Sequence, residues 1–234
     1  MIKATYVDHM GSDVTVVNAA RVSFGKKTNN TYTTDKDDKL IKYLAEHKHM
    51  SPFGHCFASF HVKAPVFVAR QLVKHKFLRW NEISRRYVDD EPEFYIPDVW
   101  RERSADKKQG SDGEAKSQYF PNLYSQEVSD KALGDYKKML MQGVCPEQAR
   151  MVLPQAMMTE WYWSGSLDAF ADMCNLRCAS DTQVETRIVA TQIGDRMRKL
   201  FPVSWGALVK VNGHQAETLT EFDWKDGDGG ELFE

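Results

Sequence analysis

The sequence predicts an α+β fold, helices packed with a modest antiparallel sheet, and three observations predict it. Phe57, Ser59, His61 and Lys63 alternate with Ala58, Phe60 and Val62, the two-residue period of a half-buried strand. Leu40, Ile41 and Leu44 recur at helical spacing, as do Tyr119, Leu123, Tyr124, Val128, Leu133, Tyr136 and Leu140 in a broken stripe. Three further helical stretches, at about 147–164, 166–178 and 182–200, fill the last third of the chain.

In chain order, residues 2–8 and 14–17 are short and β-prone. The polar Thr and Asn run at 28–34 reads as a loop, and Asp35 offers an N-cap to the helix that ends near His47 to His49. Ser51-Pro52 is a second helix start, a capping Ser followed by Pro at the first helical position. Pro65 opens the next helix, on which Gln71, Lys74 and His75 share a face at i, i+3 and i+4. From Arg101 to Gln118 the chain is rich in charge, Gly and Ser, a mobile surface excursion over about 101–118. Gly143 and Pro146 terminate the long helix that follows. Gly227, Gly229 and Gly230 among acids predict a mobile tail at about 225–234. No internal repeat is found, and residues 1–234 read as a single domain.

Composition narrows the function classes. Apolar residues at 42% and charged residues at 27% are those of a globular chain able to bury a core, which excludes global disorder. No stretch approaches the ~20 apolar residues of a membrane span, and the start lacks a secretory pattern. A cytoplasmic setting follows, the host cytoplasm if the source is viral. The four cysteines, Cys56, Cys145, Cys174 and Cys178, lack the spacing and density of a disulfide scaffold and read as reduced thiols. Cys174 and Cys178 stand at i, i+4, and with no His nearby in sequence they read as core packing rather than metal ligands.

The residues from Lys74 to Tyr87 carry the functional signal. Between Arg70 and Arg86 stand six Lys or Arg and one acid, Glu82, in a chain of net charge −2. Lys and Arg with hydroxyls and backbone amides are the donors that hold phosphates, and the planar guanidinium adds paired geometry. A solvated basic helix face would show the same charge count. The order of residues decides between them: Lys74-His75-Lys76, seven residues, then Ser84, closed by Asn81-Glu82-Ile83-Ser84-Arg85-Arg86-Tyr87.

That arrangement resembles the signature of flavin-dependent thymidylate synthases, Arg-His-Arg, seven residues, Ser, with both outer arginines replaced by Lys74 and Lys76. Lysine keeps the charge and loses the planar fork. Other blocks agree in the family's order: Ala20-Arg21-Val22-Ser23-Phe24, His49-Met50-Ser51-Pro52-Phe53-Gly54-His55, Phe60 to Pro65 leading to Ala69-Arg70-Gln71, Glu93 to Pro97, Ala149 to Pro154, and Asn175-Leu176-Arg177. The resemblance spans roughly residues 15–205 and implies the same α+β class, a single catalytic domain, and a homotetramer with shared active sites.

It implies methylation of deoxyuridine monophosphate (dUMP) to thymidine monophosphate. Methylene tetrahydrofolate donates the carbon, and FAD reduced by NADPH donates the hydride. Matching positions assign Gln71, Lys74, Glu82, Ile83, Ser84, Arg85, Arg86, Arg150 and Arg177 to dUMP. They assign Ser51, Lys74, His75, Lys76, Asn81, Glu82, Ser166, Leu167 and Asp172 to FAD, with His49 and Ser23 as neighbours. The resemblance also makes Arg177 the catalytic residue, its permanent charge stabilising the uracil ring as N3 ionises; the alternative is a helix salt bridge to Asp181. Ser84 reads as a phosphate ligand, not a nucleophile, because a nucleophilic Ser needs a neighbouring base. No Gly-x-Gly-x-x-Gly follows a strand, so the flavin is not held by a Rossmann site.

Three rivals remain. Lys76-Phe77-Leu78-Arg79-Trp80 interleaves cations and aromatics as single-stranded nucleic-acid readers do, against which stand the net acidity and the blocks outside that segment. His47, His49, His55 and His61 cluster in sequence without metal-site spacing, so no metal is expected. A catalytically silent relative would carry the same motifs.

Overall fold

The computed structural model describes residues 1–88, 90–105 and 110–210. A four-stranded antiparallel sheet is built from β1 (Lys3–Met10), β2 (Phe57–Pro65), β3 (Leu78–Glu82) and β6 (Met158–Ser166), in the order β1-β2-β6-β3. A separate hairpin pairs β4 (Arg101–Arg103) with β5 (Ser111–Glu114). The helices are α1 (Asp13–Arg21), α2 (Asp35–Glu46), α3 (Val66–Leu72), α4 (Tyr119–Met141), α5 (Pro146–Ala149), α6 (Leu167–Arg177), α7 (Val184–Leu200) and α8 (Pro202–Leu208). The α+β expectation holds.

The sheet has two chemically different faces, as antiparallel sheets commonly do. Ala58, Phe60, Val62, Ala64, Trp161 and Trp163 point inward and are buried against Phe170, Met173, Val189, Ile193 and Met197 of α6 and α7. Phe60 meets Phe170 edge-on at 5.3 Å, and each such fully buried side chain contributes roughly 1.5–3 kcal/mol. The other face is polar: Ser59 and Ser164 hydroxyls bond at 2.8 Å, His61 meets Glu160 at 3.0 Å, and Lys63 meets Glu93 at 2.8 Å.

Several local expectations are corrected. The stretch at 147–164 is not one helix: after α5 and a short 3₁₀ turn at Arg150–Val152 the chain extends into β6. Trp161 and Trp163 then alternate with Glu160, Tyr162 and Ser164, a two-residue period that a helix would scatter around its axis. Residues 14–17 lie in α1, because Val16 and Val17 reach the core from one helix face while Thr15 accepts from the Ser12 N–H at the helix start. α2 is capped by Thr34, one residue before Asp35, because the Asp37 carboxylate reaches back to the Thr34 N–H at 2.8 Å. Ser51-Pro52 opens only a 3₁₀ turn, Phe53–His55. α3 ends at Leu72, so Lys74 and His75 lie in the following turn rather than on a helix face with Gln71. The surface excursion contains the β4–β5 hairpin. The proposed tail at 225–234 lies outside the described residues.

Candidate active site

β2, α3 and β3 form a crossover. β2 and β3 both run antiparallel to β6 and lie on either side of it, so they are parallel to each other and need α3 to carry the chain back. Phe57 pairs with Ser166 and Leu78 with Gly165, so β2 and β3 start at the same end of the sheet, where β6 finishes. That end gathers the 3₁₀ turn that follows His49 and Ser51, the Lys74 to Phe77 turn, and Ser166 to Asp172 at the start of α6. Leu167 N–H donates to the Cys56 carbonyl at 2.9 Å and ties two of these pieces together. Lys74 and Lys76 are exposed there, and so is Phe77, whose φ of 64° is a strained left-handed conformation for a bulky residue. Asp168 Oδ1 is buried without a hydrogen-bond partner, and burial followed by the Asp168 charge raises the Asp172 carboxyl. This basic and hydroxyl-bearing end, with one orphaned acceptor, has the donor and acceptor set that a dinucleotide with ribose hydroxyls requires. Ser23, at the 3₁₀ turn after α1, is exposed, and nothing described links it to this cluster.

The far end of β3 carries different chemistry. β3 spans about 13 Å, four steps of a strand, and finishes at Glu82, opposite Trp161. Thr159 Oγ1 donates to Glu82 Oε1 at 2.6 Å and Trp80 Nε1 donates to Oε2 at 3.0 Å, so both carboxylate oxygens are fixed. The Ile83 N–H donates to the Glu160 carbonyl and sets the exit from the strand. A turn follows in which Ser84 accepts from Arg86 Nε at 3.1 Å, while Arg85 donates to Asp90. Glu82, Ile83 and Arg85 line a cleft of about 580 Å³ with Arg70 and Arg150. Arg150, from the 3₁₀ turn, donates from Nε to the Glu147 carbonyl at 3.2 Å and keeps its remaining N–H groups for the cleft. Arg70, counted in the basic stretch of the sequence without a ligand role, and Thr159, not named there, also line this cleft. Reading 158–166 at period two would have found Thr159.

A third group lies where α6 ends. Arg177 donates from Nε to His75 Nε2 at 2.9 Å and from Nη2 to the Gln71 carbonyl at 3.3 Å. Burial, then the adjacent Arg177 charge, pulls His75 down to about 4, so its ring is the neutral acceptor that this contact needs. Arg177 is itself lowered by burial. The salt bridge to Asp181 is not formed: both partners of Arg177 in these bonds are neutral, and no carboxylate cancels its charge among the described residues.

Of the sequence-derived candidates, the fold therefore joins Gln71, His75 and Arg177 in one cluster and Glu82, Ile83, Arg85 and Arg150 in one cleft. Ser84 and Arg86 flank Arg85 in the turn and do not line the cleft. Asn81 is an exposed residue of β3. Trp80, offered to a base-stacking platform by the nucleic-acid reading, instead stacks on Trp161 at 4.3 Å. His47 and His49 form an open stack with Tyr43 on the surface, and no group of three or more His, Cys, Asp or Glu among the described residues could hold a metal ion.

The architecture defines an α+β protein whose cationic clefts are assembled from a βαβ crossover. The model of the family described as "Thymidylate synthase complementing protein" matches residues 5–203, and the chain belongs to that family. It is 41% identical over 201 residues to a flavin-dependent thymidylate synthase of Thermus thermophilus, covering 86% of this chain and 73% of the relative. It is 39% identical over 207 residues to one of Thermosipho africanus, covering 87% and 89%. Among solved structures it is similar to the UMP/dUMP methylase PolB of Streptomyces cacaoi bound with 5-Br dUMP. There the TM-score is 0.81 and the identity 30%, over 88% of this chain and 94% of that one.

Proposed function

We propose that this protein is a flavin-dependent thymidylate synthase that methylates dUMP to thymidine monophosphate with methylene tetrahydrofolate as carbon donor. FAD, reduced by NADPH, supplies the hydride when bound. One observation carries the reading: Arg177 is held by two neutral acceptors, His75 Nε2 and the Gln71 carbonyl, and no carboxylate among the described residues cancels its positive charge. A fixed guanidinium in a partly desolvated site stabilises an anion where it develops and needs no reorganisation at the moment of reaction. Beside a uracil ring it favours loss of the N3 proton and so raises the nucleophilicity of C5.

The other residues bind and orient. Arg85, Arg150, Ser84 and Arg86 supply donors for the phosphate of dUMP, and Glu82, with both oxygens fixed, is a rigid acceptor for a donor of the bound ligands. Lys74, Lys76, Ser51, Ser166 and Asp172 receive the FAD, with His49 beside it, while Asn81 stands next to Glu82 at the far end of β3. These sets lie at opposite ends of β3 in one chain. A homotetramer in which the phosphate end of one copy faces the flavin end of another reconciles them. The exposed apolar residues Tyr119, Phe120, Leu123, Tyr124 and Val128 of α4 suit such subunit contacts.

Tritium release from C5-labelled dUMP tests the reading. With FAD, methylene tetrahydrofolate and NADPH, release should require every component and fall by roughly 100-fold or more in Arg177→Ala. Absence of release from a folded, flavin-loaded protein overturns it.

A further inference from the structure

Gln71 has a side-chain amide engaged at both ends from one neighbour, the start of α7. Its Nε2 donates to Gln183 Oε1, and its Oε1 accepts from Thr186 Oγ1 at 3.2 Å. Gln183 is the residue that caps α7, and Thr186 is completely buried in its first turn. Between them Glu185 accepts two hydrogen bonds from Arg101, at 2.9 and 3.0 Å, which ties that turn to β4. The platform beneath the amide is therefore rigid. A glutamine left to itself samples many rotamers and either orientation of its amide, and ordering it on binding costs free energy. A hydroxyl donor at Oε1 and a carbonyl acceptor at Nε2 remove both freedoms. The second N–H of Nε2 is left for an acceptor oxygen, and the backbone carbonyl of the same residue accepts from Arg177 Nη2.

We propose that Thr186 and Gln183 are positioning residues that hold the Gln71 amide as a preorganised donor to an acceptor oxygen of the nucleotide. The proposal rests on the reading of this site as a nucleotide site. Neither residue touches the reacting atoms. A contact to an atom whose charge does not change along the reaction binds ground state and transition state alike, so its loss raises KM and leaves kcat in place.

The test uses the flavin-loaded protein and measures both the Kd for dUMP and the KM and kcat for tritium release. Thr186→Val, which removes the hydroxyl alone, should raise Kd and KM about tenfold with kcat within about twofold, the size expected for an unsatisfied hydrogen-bonding group. Thr186→Ser, which restores the hydroxyl, should return both to within about threefold of wild type. Gln183→Leu, at a half-buried position, should reproduce the Thr186→Val effect and carries the test if the core variant does not fold. Unchanged KM in both the Val and Leu variants, or a fall in kcat that Thr186→Ser does not repair, overturns the positioning role. A wild-type protein that binds no dUMP overturns the nucleotide reading and this proposal with it. Active wild type with silent variants overturns this proposal alone.

Discussion

Arg177 and His75 lie about a hundred residues apart in the chain, yet the arginine Nε donates to the histidine Nε2 across 2.9 Å. That bond exists only while the imidazole is neutral. Burial and the arginine charge hold the His75 pKa at about 4, against an ordinary 6.5. Below pH 6.5 the unfolded chain takes up a proton that the folded protein refuses, so this histidine lowers stability progressively as pH falls from about 6.5 towards 4. Above 6.5 its neutral form costs nothing in either state. Urea unfolding followed across that window should give a steeper loss for wild type than for His75→Phe, since the other histidines and the carboxylates titrate in both. Parallel curves would show that His75 is not held neutral by its surroundings.

Arg101 bonds to both oxygens of Glu185, a carboxylate only 3% exposed, and Tyr95 lies beside the pair with its phenol pushed up to about 12, chiefly by burial and then by Glu185. Removing the guanidinium leaves a buried negative charge without a counterion. Arg101→Ala should cost about 3 kcal/mol in urea unfolding, and adding Glu185→Gln should recover part of the loss, because an amide needs no counterion. A single-variant loss below about 0.5 kcal/mol would place the pair among ordinary surface ion pairs.

Periodicity located β2, α2, α6 and α7, because each buries apolar residues in the core, and it also located α4, whose stripe is instead exposed at Tyr119, Leu123, Tyr124 and Val128. It failed at β6, where Tyr162 is 46% exposed on the polar face between two buried tryptophans, so that a strand resembles a continuous apolar run. It also failed at residues 14–17, where β-branched Val14, Thr15, Val16 and Val17 have strand propensity but tertiary contact to Val16 and Val17 prevails. For the site, the ordered blocks named Gln71, His75 and Arg177, which the fold brings into contact. Thr186 and Gln183 carry no such signal, since a hydroxyl and an amide acquire a role only when the packing of α7 against α3 aims them. The division of candidate residues between the two ends of β3 was likewise invisible, because it follows from strand order and not from local pattern.

Lys74 and Lys76 flank His75 as exposed cations at the end of the sheet where β2 and β3 start, the end proposed to receive the FAD. An ammonium attracts a pyrophosphate as a point charge, whereas a guanidinium can bond it through two parallel N–H groups. Wild type is therefore expected to lose FAD during gel filtration, and the double variant Lys74→Arg, Lys76→Arg to retain more, with affinity improved by roughly three- to tenfold. The absorbance ratio of flavin to protein reads the result. Stoichiometric flavin in wild type, unimproved by arginine, would remove the lysines as the weak element.

Gly165 pairs with Ala58 on one side and Leu78 on the other. A Cβ there would run into the Leu78 side chain and stand 3.1 Å from the Phe77 carbonyl oxygen. The leucine end can turn away, but the Phe77 backbone is already held at a φ of 64° and has little room to give. Gly165→Ala should therefore push the start of β3 outward, cost about 1–3 kcal/mol of stability, and disturb the turn that carries Lys74, His75 and Lys76. Gly206 supplies the control: it lies in α8, and an added methyl would meet nothing within 4 Å. There alanine should be neutral or stabilising by up to about 1 kcal/mol from helix propensity alone. Thermal unfolding of both variants, with flavin retention measured beside it, separates the two sites. Equal melting temperatures would mean that β3 yields freely at its first residue, and the turn that follows α3 would then owe its shape to its own sequence and not to the strand beneath it.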